Sequence, residues 1–545
     1  MSNNQMKSYL GEPIIKNDFF ALKELEKSLG EAVPSVSKIE YDTFGFEVEN
    51  KQVIGLGLYK KELIQLPESI GDLSYLKKLY LRFNGLSNLP SKLWDLTNLV
   101  ELDLTDNKFT NLSDLISNLK NLVYLNVGRN PLSSIPKGIG ELKKLEILAF
   151  NNTNITRLPE TIGLLENLDE LWVEEAKLTS LPESIGDLKK LSKLFLYKNQ
   201  ISSLPESIGN LNNLENLVLR YNLLKIVPES IKNLKNLKTF LFESNKLVSL
   251  PDCIGDLVKL ELIMLQDNQL SSLPETIGKL SNLRLLTLQG NQLVKIPKSI
   301  KNLIKLEELR LQHNCLTELP NEIGELSNLE VLMLQTNQLH AVPEEIGFLS
   351  NLQELYLDHN QLTSIPESIG KLSKLEDLVI SNNKLVEFPD EIGKLNNLQL
   401  LNAGSNRLEH IPESVGYLQN LRCIDLRNNR IKYLPESIGS LMNLQELWLD
   451  SNILQMFPEK IGNLTNLLKL YARRNFVKRI PETIEGLTKI THLNLQKNEI
   501  KTLPKNFAKL QNLQHLWIKP YHWLKMDFPE TIMKKLEEQG CIIHR

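Results

Sequence analysis

Apolar and polar positions recur along most of the chain in one frame, LxxLxLxxNxL followed by xxLPxxIGxL. In the LxL stretch the leucines alternate with polar residues, the period-2 pattern of a short strand with one buried face. The second half of the frame leaves too little chain for a long helix. The return through LPESIG is therefore expected to be extended or a short helical turn. Pro67, Pro182 and Pro435 cut short any regular ladder there. Gly71, Gly186 and Gly439 are expected to permit a tight bend. One unit departs, since LSDLI at 112–116 carries Ser113 where the others carry Pro.

An asparagine marks each strand end. It falls at Asn84, Asn107, Asn130, Asn199, Asn222, Asn245, Asn268, Asn291 and Asn314, then at Asn337, Asn360, Asn383, Asn406, Asn429, Asn452, Asn475 and Asn498. From the first to the last the frame advances in steps of 23 residues without insertion or deletion. It reaches back to Lys61, passes through Thr153 and Ala176, and runs on to a degraded unit at Tyr521. Units repeated this regularly stack, their strands forming one parallel sheet and their leucines one continuous core.

This frame resembles the leucine-rich repeat family in its 23-residue form, over residues 53–525, about 20–21 repeats. The resemblance implies an α/β solenoid: a horseshoe with a parallel β-sheet on the concave face and short irregular or 3-10 returns on the convex face. It also implies that the asparagines form a buried ladder, each amide bonding backbone groups of its own and neighbouring turns. Both solenoid ends need covering. Residues 1–52 are expected to be an N-terminal cap, with a helix over 17–29 that Asp18 could cap and a hairpin within 41–59. Residues 526–545 are expected to be a C-terminal cap with a helix over 529–540, ended by Gly540.

In this family ligands bind the concave side, so the non-leucine strand positions are the candidate partner-binding residues. Four residues before the asparagine stand Tyr80, Trp172, Phe195, Tyr356, Trp448, Tyr471 and Trp517. Two before it stand Arg82, Glu174, Tyr197, Arg220, Glu243, Asp358, Arg427, Asp450 and Arg473. Three patches follow. Glu101, Asp103, Asp106, Glu170, Glu174 and Glu175 are acidic and lead into the aromatic group Trp172, Phe195, Tyr197 and Tyr221. Gln266, Gln289, Gln312 and Gln335 repeat at one position, a solubilising side-chain ladder. Arg427, Arg430, Lys469, Arg473, Arg474 and Lys497 are basic, with Trp448 and Tyr471 among them. The loss of the asparagine at Thr153 and Ala176 borders the first patch. A local change of curvature or a bound water is expected there, because an unpaired buried backbone group costs about 1–3 kcal/mol.

Charge narrows the partner. Lys and Arg number 63 against 66 Asp and Glu, a formal net charge of −3, which argues for neither nucleic acid nor an anionic membrane. The four cysteines show no paired spacing and fit a reducing compartment. No secretory signal and no membrane span of about 18 apolar residues is read from the chain. No phosphate-binding loop, HExxH or kinase motif is present. His313, Cys315 and His359 stand too far apart in the frame to share a zinc ion. His492 and His515 are read as exposed histidines. No metal, cofactor or catalytic residue is therefore expected.

The return repeats most resemble those of cytoplasmic Ras-group repeat scaffolds and similar microbial proteins. This implies a cytoplasmic, monomeric, non-catalytic scaffold with protein partners such as a small GTPase or a phosphatase. Two alternatives stay open: an effector or ubiquitin-ligase adaptor using Cys541, and a nucleic-acid-associated module acting through the basic C-terminal repeats.

Overall fold

A computed structural model describes residues 6–519 and 529–545. Tyr521 and the 520–525 end of the expected repeat array lie outside the described residues. The chain divides into two compact units, Met1–Asn268 and Gln269–Arg545.

The first unit opens with a hairpin, Met6–Tyr9 against Glu12–Ile15, that the repeat frame does not reveal. Helix α1 follows over Lys16–Leu29 and closes on Gly30, which holds φ 75° and returns its N–H to Glu26. Asp18 does not cap it. Ile15 occupies the cap position, and Asp18 lies one turn inside, fully buried, where its Oδ2 accepts the Val53 N–H at 2.8 Å. The residue ties the helix to the antiparallel pair Phe44–Glu49 and Gln52–Leu58. Burial pushes its carboxyl up to about 6.

From there each repeat contributes one three-residue strand, Lys78–Tyr80 through Leu262–Met264, paired in parallel and in register with its neighbour. Leu171, for example, stands opposite Leu148 on one side and Leu194 on the other. The second unit continues the pattern from Leu285–Thr287 to His515–Trp517. Helix α2 spans Glu530–Glu538. The last strand, Ile542–His544, then pairs in parallel with His515–Trp517 and covers that strand's edge. The core of a repeat is a set of fully or nearly fully buried side chains such as Leu194, Leu196, Ile201, Ile208, Leu211 and Leu214. Truncating one of them to Ala costs about 2–5 kcal/mol.

The returns are five-residue 3-10 helices, such as Glu183–Asp187, each preceded by a proline in extended conformation. Where Ser113 replaces that proline, its hydroxyl accepts the Leu115 N–H at 3.2 Å and caps the turn. The glycines do not serve a bend. Gly71, Gly186 and Gly439 lack positive φ; what they permit is the approach of the next turn. A Cβ at Gly186 would stand 2.3 Å from the Ser207 carbonyl oxygen, and one at Gly439 2.3 Å from that of Lys460.

Three sets of polar side chains stitch successive repeats. The strand-end asparagine does most: Asn222 Nδ2 donates to the carbonyls of Leu196, Leu219 and Arg220, and its Oδ1 accepts the Ile201 N–H. A second asparagine column, nine residues earlier, donates to a carbonyl of the preceding repeat, as Asn213 does to Lys189 and Asn443 to Gln419. Where lysine takes that position, its ammonium bonds the previous asparagine, as Lys190 does Asn167 and Lys374 does Asn351. Thirdly, the glutamate of PES accepts the N–H of the second residue of the next return, as Glu206 does from Ser230 and Glu413 from Ser437. These carboxylates sit at the positive end of a short turn.

Candidate functional site

The open face of the sheet is built from three columns of strand residues, not two. The residue six before each asparagine also points outward, and it supplies the acids and bases that hold the aromatic rings. In the first unit Glu170 Oε2 accepts from Trp172 Nε1 at 2.9 Å, and its Oε1 accepts from Lys193 Nζ at 2.7 Å. Trp172 in turn stacks on Phe195 of the next repeat, centroids 3.8 Å apart and planes 20° from parallel. Tyr197 and Tyr221 meet edge to face at 5.5 Å, and Tyr221 is 51 % exposed. The Arg220 guanidinium lies 4.9 Å from the Tyr197 centroid and 3.4 Å from Glu243. The four predicted aromatics thus do lie together, as two ring pairs on neighbouring strands.

The acids around them are strained electrostatically. Glu243 is only 4 % exposed and its Oε2 has no partner; burial pushes its carboxyl above the usual range against the pull of Arg220. Burial likewise raises Glu174 against the pull of the Arg220 charge; it makes no ion pair among the described residues. Glu175 holds a left-handed turn position (φ 50°) and stands 3.5 Å from Lys198.

The front of this face is different. Tyr80 is 3 % exposed, donates its hydroxyl to Glu101, and packs 5.0 Å beneath Tyr41, which also covers Tyr124. Burial raises both strand tyrosines and Asp103. The N-terminal segment therefore covers Tyr80, which leaves the set of accessible partner-binding positions.

In the second unit the arrangement recurs with other partners. Glu446 Oε2 accepts from Trp448 Nε1 at 3.0 Å and its Oε1 from Lys469 at 2.8 Å; Trp448 stacks on Tyr471 at 4.2 Å and 12°. Burial alone would raise the Glu446 carboxyl, but its bonds from Lys469 and Trp448 outweigh it and lower it. Arg427 lies 4.7 Å over Trp448, held by Asp425 through Nη2 (2.6 Å) and Nε (3.0 Å). Asp450 accepts the Arg473 N–H at 2.6 Å, and the Arg473 Nε is buried without a partner. Arg474 is exposed. Tyr356 stands apart, its hydroxyl 3.5 Å from Asp377 and pushed up to about 12 by burial.

Two readings change. Gln289, Gln312 and Gln335 form no side-chain ladder: each Oε1 is buried without a hydrogen-bond partner. His492 and His515 are not free surface histidines. Their rings meet at a tilt of 37° with centroids 5.0 Å apart, and His515 Nδ1 lies 3.3 Å from His544 Nε2 of the last strand, which itself stacks on Trp517 at 4.7 Å. Burial, then the charges of His515 and Lys469, lower His492. His544 escapes detection in the sequence because a three-residue terminal strand has no repeat signal. Among the described residues no group of three metal-ligating side chains could hold an ion, and no helix is long and apolar enough to cross a membrane. All four cysteines are free.

The gap in the asparagine ladder is located by its orphans. In the complete turns the asparagine Oδ1 accepts the N–H 21 residues earlier. With Thr153 and Ala176 in place, the N–H groups of Leu132 and Ile155 have no acceptor among the described residues. Thr153 keeps one bond, its hydroxyl donating to the Phe150 carbonyl at 2.9 Å. The turn backbone is unaltered: Asn152 and Glu175 hold φ 57° and 50°, against 53° at Arg129 and 54° at Lys198.

The family model described as a leucine-rich repeat region matches residues 102–200, 253–338, 298–402 and 378–472. Among solved structures, a leucine-rich repeat protein of Leptospira interrogans is 39% identical, over 68% of this chain and 95% of that one, with a TM-score of 0.62. A plant peptide hormone receptor solved with its peptide RGF2 is 30% identical over 91% of both chains, TM-score 0.66. YopM of Yersinia enterocolitica is 26% identical over 87% of this chain and 91% of that one, TM-score 0.63. No curated protein matches.

Proposed function

The chain belongs to the leucine-rich repeat family, and from that premise we propose that it is a non-catalytic scaffold that holds a protein partner on the open face of its sheet, in the cytoplasm. Leucine-rich repeat folds mediate protein–protein interaction, and the plant receptor above is solved with a peptide. The observation that carries the reading is the pair of ring stacks in the first unit, Trp172 on Phe195 and Tyr197 against Tyr221. Large aromatics are the residue types enriched at interface hot spots. Here Glu170 and Lys193 lock the Trp172 edge before any partner arrives, so little side-chain entropy is lost on binding. The free cysteines accord with a reducing compartment. A small GTPase or a phosphatase is the partner class the Ras-group resemblance favours.

The basic repeats of the second unit give less support to nucleic acid, since Arg427 is tied to Asp425 and Lys469 to Glu446. Affinity capture with the full chain tests the proposal, comparing wild type, the triple variant Trp172→Ala/Glu174→Lys/Glu175→Lys, and a turn-side control, Glu206→Lys. A protein lost from the triple variant and retained by the control is expected. The same proteins in the same yield from all three would refute the open face as the binding surface. Recovery of the protein in a membrane or secreted fraction would refute the cytoplasmic location.

A further inference from the structure

The ring stacks of the two units are one construction used twice. Twelve repeats after Glu170, Trp172, Lys193 and Phe195 come Glu446, Trp448, Lys469 and Tyr471, in the same frame positions and with the same bonds from tryptophan and lysine to glutamate. The two differ on the face of the tryptophan turned toward the preceding repeat. In the second unit that face is covered: Arg427 lies over Trp448, gripped by Asp425, with the Asp450 carboxylate adding to its charge environment. In the first unit the corresponding residues are Ala149 and Asn151. The arginine is absent and so is the acid that gripped it: Ala149 offers a methyl group, and the Asn151 Oδ1 accepts the Glu174 N–H at 2.8 Å. Trp172 has one ring partner, Phe195, and no cation over it among the described residues. Glu174, which stands where Asp450 does, is retained; it makes no ion pair among the described residues, and the charge of Arg220 acts on it without contact.

Building on the open-face reading, we propose that the first unit's stack is an arginine acceptor: a partner protein's guanidinium lies on the free face of Trp172, above Ala149, with Glu174 as counter-charge. The chain thus carries its own filled example of the site and an empty one. A planar cation over indole gains both from the ring's negative face and from the adjacent carboxylate. Glu174 is half-buried and burial disfavours its charged form, a cost that the charge of Arg220 offsets only in part, so an arriving cation relieves the remainder. A lysine would gain less, because its compact ammonium cannot stack.

The test is a binding titration of the full chain with a short labelled Gly/Ser peptide carrying two arginines, against the same peptide with glutamines. The arginine peptide is expected to bind about tenfold more tightly, with one site per chain. The double variant Ala149→Asp/Asn151→Arg fills the site with the chain's own arginine and is expected to abolish that preference, as is Trp172→Ala. Arg427→Gln empties the second site and is expected to raise the stoichiometry to two without touching the first. Equal binding of the two peptides, a preference that survives the double variant, or a stoichiometry unmoved by Arg427→Gln each overturns the assignment. If the peptides do not discriminate while the triple variant still loses its captured protein, the arginine assignment falls and the partner-binding reading stands. If capture is unaffected, the broader reading falls regardless of the peptides.

Discussion

Two backbone N–H groups and one carboxylate define what single residues decide in this molecule. Leu132 and Ile155 lack the acceptor that an asparagine supplies in complete turns, yet the turn backbone around Ala176 matches its neighbours. The neighbouring geometry therefore already suits an asparagine. Ala176→Asn is expected to stabilise the first unit by about 1–2 kcal/mol in urea unfolding, by giving Ile155 its acceptor. Asn222→Ala, which orphans Ile201 and removes a donor from three carbonyls, is expected to cost about 2–3 kcal/mol. An unchanged midpoint for both would show that water serves these groups as well as the amide does. Asp18 is a separate case. Its folded value near 6 lies above the unfolded 3.8, so the protonated carboxyl stabilises fully below the unfolded value, and that contribution is lost as pH rises through 6. Asp18→Asn keeps an acceptor for Val53 and removes the buried charge. It is expected to stabilise the first unit by about 1–3 kcal/mol at about pH 7.5, with the gain vanishing near pH 4. A gain that grew on acidification would contradict the cause assigned.

At the scale of the element, the return turns carry a constraint that their sequence disguises. Gly186 reads as a bending residue, but its contact is with the neighbouring turn: a Cβ there meets Ser207 oxygen at 2.3 Å. Nothing within one repeat distinguishes a glycine needed for φ from one needed for close approach. Gly186→Ala is expected to cost about 1–3 kcal/mol through overpacking, measured by chemical unfolding, and no cost would mean the next turn can move aside. The second asparagine column escaped notice for a related reason, since lysine alternates with asparagine there and only bond geometry shows both serving one network. The strand column six before the asparagine enters the sequence reading only through Glu101, Glu170 and Lys469 as members of charged patches; its residues vary freely, so nothing in the sequence shows that Glu170, Lys193, Glu446 and Lys469 hold the rings in place. The closing strand Ile542–His544 brings a third imidazole beside His515. His492 is lowered below 6.5 by burial, so its neutral form stabilises the fold above the unfolded value, and that contribution is lost as pH falls below it. The unfolding midpoint is expected to drop between about pH 7 and pH 5, and His492→Gln to flatten that dependence. An unchanged slope would place the acid sensitivity elsewhere.

At the scale of the molecule, the strand positions, the repeat frame and the register were all legible, because one period of 23 residues repeats without a break from Asn84 to Asn498. What the period could not convey is which outward residues stay accessible. Tyr80 and Trp172 hold equivalent positions, but Tyr41 folds over the first, whereas the second stacks on Phe195 of the next repeat. Nor could it show that the same stack carries an internal arginine in one unit and none in the other. The account's central claim is that a partner protein sits on the open face at Trp172 and Phe195. A photo-crosslinking residue placed at Phe195, compared with one at Glu206 on the turn side, tests it most directly in living cells. The account predicts one dominant crosslinked protein from position 195, lost when Trp172→Ala is added, and none shared with position 206. Equal crosslinking from both positions, or adducts indifferent to Trp172, would contradict it.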